Sequence, residues 1–185
     1  MGNPLGSHSG IHKMGCVYFS VPVLLPEYLS SLENIFVAYL FHSDDRGTHK
    51  INNYKMYRAL IDESIDLQTN GISICVNSEI HHIYFALGLV LGENLGLNSI
   101  LGFVESFSSN FYCRICRSPK SELQNMINEC PETLRNEINY ATDINTNNYS
   151  LTGLKELCIF NEVPSYHVTN NSVCDFMHDL TEGVA

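Results

Sequence analysis

The chain has 185 residues, of which 44% are hydrophobic, so it can bury a core and fold as one domain with at most an insertion. Its formal net charge of −10 excludes a broad basic surface for nucleic acid and leaves only local contacts with DNA. The longest apolar run, 83–91, is far shorter than the roughly 20 residues of a membrane-spanning helix, so we expect a soluble protein with no membrane partner.

The first half of the chain predicts strands and one helix. Branched and aromatic residues over 16–25 predict a strand, and the run 34–43 predicts a second strand that pairs antiparallel with it. Over 54–69, apolar residues recur at helical spacing opposite acidic ones, and Gly71 supplies the helix stop. The next segments are a short strand at 72–76, a polar turn region at 77–82 and an apolar, strand-like run at 83–91.

The second half begins where that apolar run ends, at Gly92, Glu93 and Asn94. A helix-sized segment follows it and leads to a Cys-x-x-Cys pair, Cys113 and Cys116. Beyond the pair the composition becomes polar and irregular. We expect a helix at 122–127, an asparagine-rich loop at 145–150 and the start of a further helix at 175.

The seven cysteines are odd in number and mostly isolated, and no signal peptide precedes them, which predicts a reducing, intracellular compartment. Cys113 and Cys116 have the spacing that lets two thiolates bind one zinc ion, but a structural site normally has four ligands. The alternatives for the pair are a redox role or no role at all.

Asp175 and His178 are three residues apart, so on a helix they share one face. His178 is therefore a candidate third zinc ligand, and Asp175 a candidate partner that orients it. The alternative is an acidic helix start followed by a surface histidine. The other histidines of loops and turns carry no predicted function; they are His8, His12, His81 and His82.

Glu93 is a candidate Mg²⁺ ligand, because hard cations prefer carboxylate oxygens and phosphoryl transfer commonly uses two metal ions. The alternative is an exposed glutamate in a turn. Basic residues are sparse except around the cysteine pair, where Arg114, Arg117 and Lys120 form a cluster. These three are the candidate nucleic-acid contacts.

Several segments, read in order, resemble the central part of cut-and-paste transposases of the CACTA (CMC) superfamily. The resemblance extends over nearly the whole chain, and its most specific feature is the order of two motifs. The segments are NPLGSHSGIHKMGCVYFSVPVLLPEYLSSLENIFVAYLFHSDDR, YRALIDESIDL, LGLVLGENLGLNSILGFVESF, CRIC, NEINY and SYHVTNNSVCDFMHDLTEGV, and the most specific motifs are CRIC and the DFMHDLTEGV part of the last segment.

This family is similar to the catalytic core of the V(D)J recombinase, which implies an α/β (α+β) chain with a ribonuclease-H-like domain. The implied domains are a partial catalytic domain at 1–112 and, at 113–185, the start of a helical or irregular zinc-binding insertion. Glu93 takes the position of the second of three catalytic acids, one methylene longer than the aspartate of relatives. The resemblance puts the first acid, with its central strand, before Met1 and the third acid after Ala185.

Three functions follow from the resemblance. The first is a catalytically inactive, transposase-derived fragment, and the second is a domesticated module that binds transposase or other proteins. The third is an active DNA transposase or nuclease, if the gene model is truncated. The resemblance implies Zn²⁺ at the cysteine pair, Mg²⁺ only in an intact relative, DNA as a partner, and the nucleus. Exposed sheet edges predict a protein partner or a homo-oligomer.

Overall fold

The computed structural model describes residues 14–23, 25–29, 31–42, 51–171 and 173. It is a mixed α+β structure with small antiparallel sheets, in two compact units, one ending at Leu60 and one starting at Ile61. The domain boundary between 112 and 113 stays a prediction. Asp175 and His178 lie outside the described residues, as do His8 and His12. No helix in the described part is both long and apolar enough to cross a membrane.

The first unit contains an antiparallel hairpin of β1 (Met14–Phe19) and β2 (Phe36–His42). The predicted pairing is thus confirmed, with a bulge between Val17 and Tyr18. The first strand is shorter than predicted, because the prolines that follow have no N–H to donate to a ladder. The connection holds a short helix, α1 (Pro26–Leu29), and a 3-10 turn at Leu32–Asn34.

Helix α2 (Asn53–Thr69) confirms the helix predicted over 54–69. Tyr57 and Ile61, four residues apart on one face, are both fully buried. The predicted stop at Gly71 is also confirmed: its φ is 66°, and its N–H donates to the carbonyl oxygen of Asp66 at 3.2 Å. A side chain at residue 71 would collide with the carbonyl oxygen of Ile83.

The second unit opens with a hairpin of β3 (Ile72–Val76) and β4 (Glu79–Ile83), joined by a two-residue turn. Both turn residues have positive φ, as in the turns that match the twist of paired strands. The short strand at 72–76 is therefore confirmed. The polar turn predicted over 77–82 is wrong beyond residue 78, because the histidines and isoleucines that follow pair with β3.

The strand predicted over 83–91 is wrong, because residues 84–93 form no ladder. Their hydrogen bonds go to scattered partners: the N–H of Phe85 donates to the carbonyl oxygen of Leu67, and that of Leu87 to Ser165 Oγ. Apolar composition predicted the wrong structure here, because the run is at most half-buried and no strand in the described part of the chain pairs with it.

The rest of the second unit is built from short helices and loops around one core. Its helices are α3 (Asn94–Ile100), α4 (Lys120–Leu123), α5 (Glu137–Asn145) and α6 (Tyr149–Thr152), with 3-10 turns at Pro131–Thr133 and Ile159–Glu162. Helix α3 confirms the segment predicted after Glu93, whereas the helix predicted over 122–127 is replaced by the single turn of α4. The largest fully buried apolar side chains of this core are Leu97, Phe103, Tyr140, Val163 and Val168.

Candidate functional site

The cysteine turn, residues 113–116, folds its backbone around one sulfur atom. Cys113 Sγ accepts the N–H groups of Ile115 and Cys116, each at 3.3 Å. Such bonds fix the position of the sulfur atom relative to the backbone of the turn. Neither cysteine forms a disulfide; Cys116 is buried and Cys113 half-buried. Burial raises the pKa of Cys116, while a hydrogen bond from the backbone of Ser118 opposes that shift.

The cysteine turn is continuous with a short two-stranded ribbon. Cys116 forms a β-bridge with Leu134, flanked by hydrogen bonds from Arg117 N–H to the carbonyl oxygen of Thr133 and from Arg135 N–H to that of Ile115. These bonds are 2.8 and 2.9 Å long. The turn is therefore part of a paired backbone, and its sulfur atoms lie at the end of a small structured element.

A buried ion-pair cluster lies beside the ribbon. The Asp143 carboxylate accepts two hydrogen bonds from Arg117, at 2.9 and 2.8 Å, and one from Arg135 Nη1 at 3.2 Å. The side chains of Arg135 and Asp143 are 1% and 5% exposed, whereas that of Arg117 is 42% exposed. One carboxylate thus pairs with two guanidinium groups. The buried guanidinium, that of Arg135, needs such a partner because little water reaches it.

Arg114 connects the turn to the segment that follows Glu93. Its guanidinium donates to the carbonyl oxygen of Asn94 at 3.2 Å, to Asn94 Oδ1 at 2.9 Å and to Asn98 Oδ1 at 2.8 Å. Both asparagines belong to α3. The turn and the start of α3 are therefore held together directly.

Glu93 is exposed and lies at the N-terminal boundary of α3, without a side-chain hydrogen bond to the helix backbone. It lines an open cleft of about 550 Å³. The structure brings Lys120 to the same cleft, where its Nζ donates to the carbonyl oxygen of Phe107 at 3.1 Å. The other residues that line the cleft are Asn94, Leu95, Tyr112 and Gln124.

The described residues fit half of a tetrahedral zinc site. The cysteine turn offers two thiols, and the N–H groups of Ile115 and Cys116 fix the position of Cys113 Sγ. Within the described ranges no three His, Cys, Asp or Glu side chains converge on one point, at the turn or around Glu93. Zinc binding by the pair, its completion by His178 and the role of Glu93 therefore stay predictions.

The three predicted nucleic-acid contacts all donate to groups of the chain itself. Arg114 bonds α3, Arg117 bonds Asp143 through two nitrogens, and Lys120 bonds a backbone carbonyl. Contact with DNA stays a prediction for them. For Arg117 it requires competition with a bidentate carboxylate, whose geometry matches the guanidinium better than a single phosphate oxygen does.

Sequence reasoning missed Arg135, Asp143 and Asn94, the residues that hold the turn in place. Arg135 is 22 residues from the carbonyl that it bonds at Cys113, and 8 residues from Asp143. Neither residue belongs to a motif, so only an assembled tertiary structure brings them together. The chain matches no protein-family model, no curated protein and no solved structure.

Proposed function

We propose that this chain is a non-catalytic domain derived from a CACTA-type DNA transposase, with a ribonuclease-H-like ancestry, and that its cysteine turn binds one structural Zn²⁺. The observation that supports the proposal is the pair of N–H···S hydrogen bonds at Cys113. They fix Cys113 Sγ and the backbone of the turn before any metal arrives, so little backbone ordering has to accompany binding.

The position of the turn also supports the proposal. Arg114 ties it to Asn94, the residue after Glu93, which is the position that the resemblance assigns to a catalytic acid. In the transposase-like arrangement, a zinc-binding insertion follows the second acid. The bonds of Arg114 hold the turn next to the segment of Glu93, which agrees with that order of segments.

The non-catalytic part of the proposal is based on Glu93. Two-metal phosphoryl transfer needs several carboxylates that hold two ions about 4 Å apart. Among the residues that the structure describes, Glu93 is the one acidic side chain that lines its cleft, and no cluster of three metal-ligating residues surrounds it. A single exposed carboxylate binds Mg²⁺ too weakly to position two ions.

Zinc content tests the proposal. The full chain, purified without chelator, is expected to contain up to one zinc per molecule, and Cys113→Ser is expected to lose it. Cys75→Ser is the matched control, because Cys75 is an exposed cysteine of the same unit and is far from the turn in sequence. An unaltered chain that contains no zinc, with Cys113 and Cys116 freely reactive, would refute the zinc role.

A second candidate function is a protein-interaction module, and the hairpin of the first unit favours it. In the described part its sheet has two strands, so both are edge strands, and Phe36, Val37 and Leu40 are 44%, 57% and 55% exposed. Such edges pair readily with other chains. Light scattering tests the idea: the unaltered chain is expected to self-associate, and Val37→Lys to reduce the assembly. Equal molar masses of both proteins would contradict it.

A further inference from the structure

Arg135 contacts the cysteine turn through both its side chain and its backbone. Its Nε–H donates to the carbonyl oxygen of Cys113 at 3.3 Å, and its backbone N–H donates to that of Ile115 at 2.9 Å. The two acceptors lie on either side of Arg114. One residue thus holds the peptide groups on both sides of the middle of the turn. The second of them carries the N–H of Cys116, one of the two donors to Cys113 Sγ, and the peptide that carries the other donor, the N–H of Ile115, lies between the two.

The guanidinium of Arg135 is itself held in a single orientation. Its Nη2 donates to the carbonyl oxygen of Thr152 at 2.7 Å and its Nη1 to Asp143 at 3.2 Å. The group also lies over the ring of Phe103, 5.5 Å from the centroid. A planar group with partners in three directions and an aromatic ring on its face has little freedom to rotate.

Asp143 neutralises this buried guanidinium. Its side chain is 5% exposed, and Arg117 orients it with two further hydrogen bonds. Without the carboxylate, the positive charge of Arg135 would lie in a nearly water-free position with only neutral acceptors. Arg117 thus bonds Asp143, Asp143 bonds Arg135, and Arg135 bonds the cysteine turn.

We propose that Arg135 is the positioning residue of the cysteine turn and that Asp143 fixes it, so that the metal affinity of the turn is set by a residue of the opposite ribbon strand. The inference deepens the proposed function and depends on it for the identity of the metal. The ligand in question is a divalent cation that prefers sulfur ligands, and Zn²⁺ is the probe for it. Mutation of a residue that hydrogen-bonds to a metal-binding residue without touching the metal commonly changes the metal affinity by about 10- to 100-fold.

Two readouts on the full chain test this role. The first is Zn²⁺ affinity, measured by competition with a chromophoric chelator. The second is hydrogen exchange of the Ile115 and Cys116 amides in the metal-free chain, since these amides donate to Cys113 Sγ. Exchange reports the geometry of the turn whether or not zinc binds.

Arg135→Met is expected to weaken Zn²⁺ binding by about 10- to 100-fold and to speed exchange of both amides by at least about tenfold. Arg135→Lys retains the charge but not the planar fork, so it is not expected to rescue either readout. Lys155→Met is the matched control. It removes an exposed cation that pairs with Glu105 at 2.8 Å, and both readouts are expected to stay within about twofold of the unaltered chain.

A folded Arg135→Met chain with unchanged exchange at Ile115 and Cys116 would overturn the proposal. If the single variant does not fold, the double variant Arg135→Met with Asp143→Leu decides, because replacing both buried charges by apolar groups is commonly tolerated. Unchanged exchange in that folded double variant would also overturn the proposal.

A measurement on the unaltered, metal-free chain needs no variant. The Arg135 Nε–H and the amides of Ile115 and Cys116 are expected to exchange through one opening event, with the same dependence on denaturant. Separate denaturant dependences would overturn the positioning role. An unaltered chain that binds no Zn²⁺ but shows the common opening would refute the proposed function and leave the role of Arg135 standing.

Discussion

The guanidinium of Arg114 bonds Asn94 through both of its terminal nitrogens, to the backbone carbonyl oxygen at 3.2 Å and to Oδ1 at 2.9 Å. Asn94 follows Glu93 and begins α3, and Arg114 follows Cys113 within the cysteine turn. The residue pair joins segments that are 20 positions apart in the sequence. The same guanidinium also donates to Asn98 Oδ1, so the Arg114 side chain bonds two residues of α3.

Replacing Arg114 by glutamine is therefore expected to destabilise the second unit. The change leaves Asn98, which is 1% exposed, with an unpaired Oδ1, although its Nδ2 still donates to Val104. An unsatisfied buried acceptor costs about 1–3 kcal/mol, measurable as a lower urea midpoint at unchanged slope. Lys155→Met is the control and is expected to stay within about 0.5 kcal/mol. Equal midpoints for the two variants would contradict the structural role of Arg114.

Gly153→Ala tests the backbone beside the ion-pair cluster. Gly153 has a φ of 75°, and an added Cβ would collide with the carbonyl oxygen of Phe111. The expected loss is about 1–3 kcal/mol in the free energy of unfolding, measured with urea. Gly88→Ala is the matched control, because a Cβ at that residue meets no atom within 4 Å. A Gly153→Ala chain as stable as the control would show that this loop relaxes without cost.

Cys158 is expected to resist alkylation in the native chain. Its residue is 1% exposed, and burial raises the pKa of its thiol to about 12, although hydrogen bonds from the backbone of Phe160 and Asn161 oppose the shift. At pH 8 the reactive thiolate is then on the order of one part in ten thousand. Peptide mapping after iodoacetamide treatment should find exposed Cys75 modified and Cys158 intact. Modification of Cys158 at a similar rate would mean that the core opens readily.

We expect no Mg²⁺- or Mn²⁺-dependent nicking or strand transfer by the purified chain on any DNA, and no gain of either activity in Glu93→Asp. Glu93 supplies one carboxylate to its cleft, whereas two metal ions need several. Gel assays of supercoiled plasmid measure both activities. The proposal fails if cleavage occurs and is lost in Glu93→Ala but kept in Glu105→Ala, an exposed acid of the same unit that pairs with Lys155.

Local patterns in the sequence were sufficient for the elements whose side chains alternate or recur over one segment. Helix α2, its stop at Gly71, the β1 and β2 pair, and β3 follow from the spacing of apolar residues and from the backbone freedom of glycine. The apolar run at 83–91 misled the same reasoning, because hydrophobic composition does not say whether a partner strand is present. Residues 84–93 instead bond to side chains and carbonyls distant in sequence.

The sequence by itself determined that Cys113 and Cys116 are three residues apart and that Glu93 precedes a helix, because both are properties of a few adjacent residues. Only the tertiary structure decided what surrounds them. Arg114 and Arg117 are both arginines in or next to the Cys-x-x-Cys motif, yet Arg114 bonds α3 and Arg117 bonds Asp143. A buried guanidinium needs acceptors in several directions, and for Arg135 they come from Cys113, Asp143 and Thr152. No local pattern encodes that convergence, because it arises when the chain packs and excludes water.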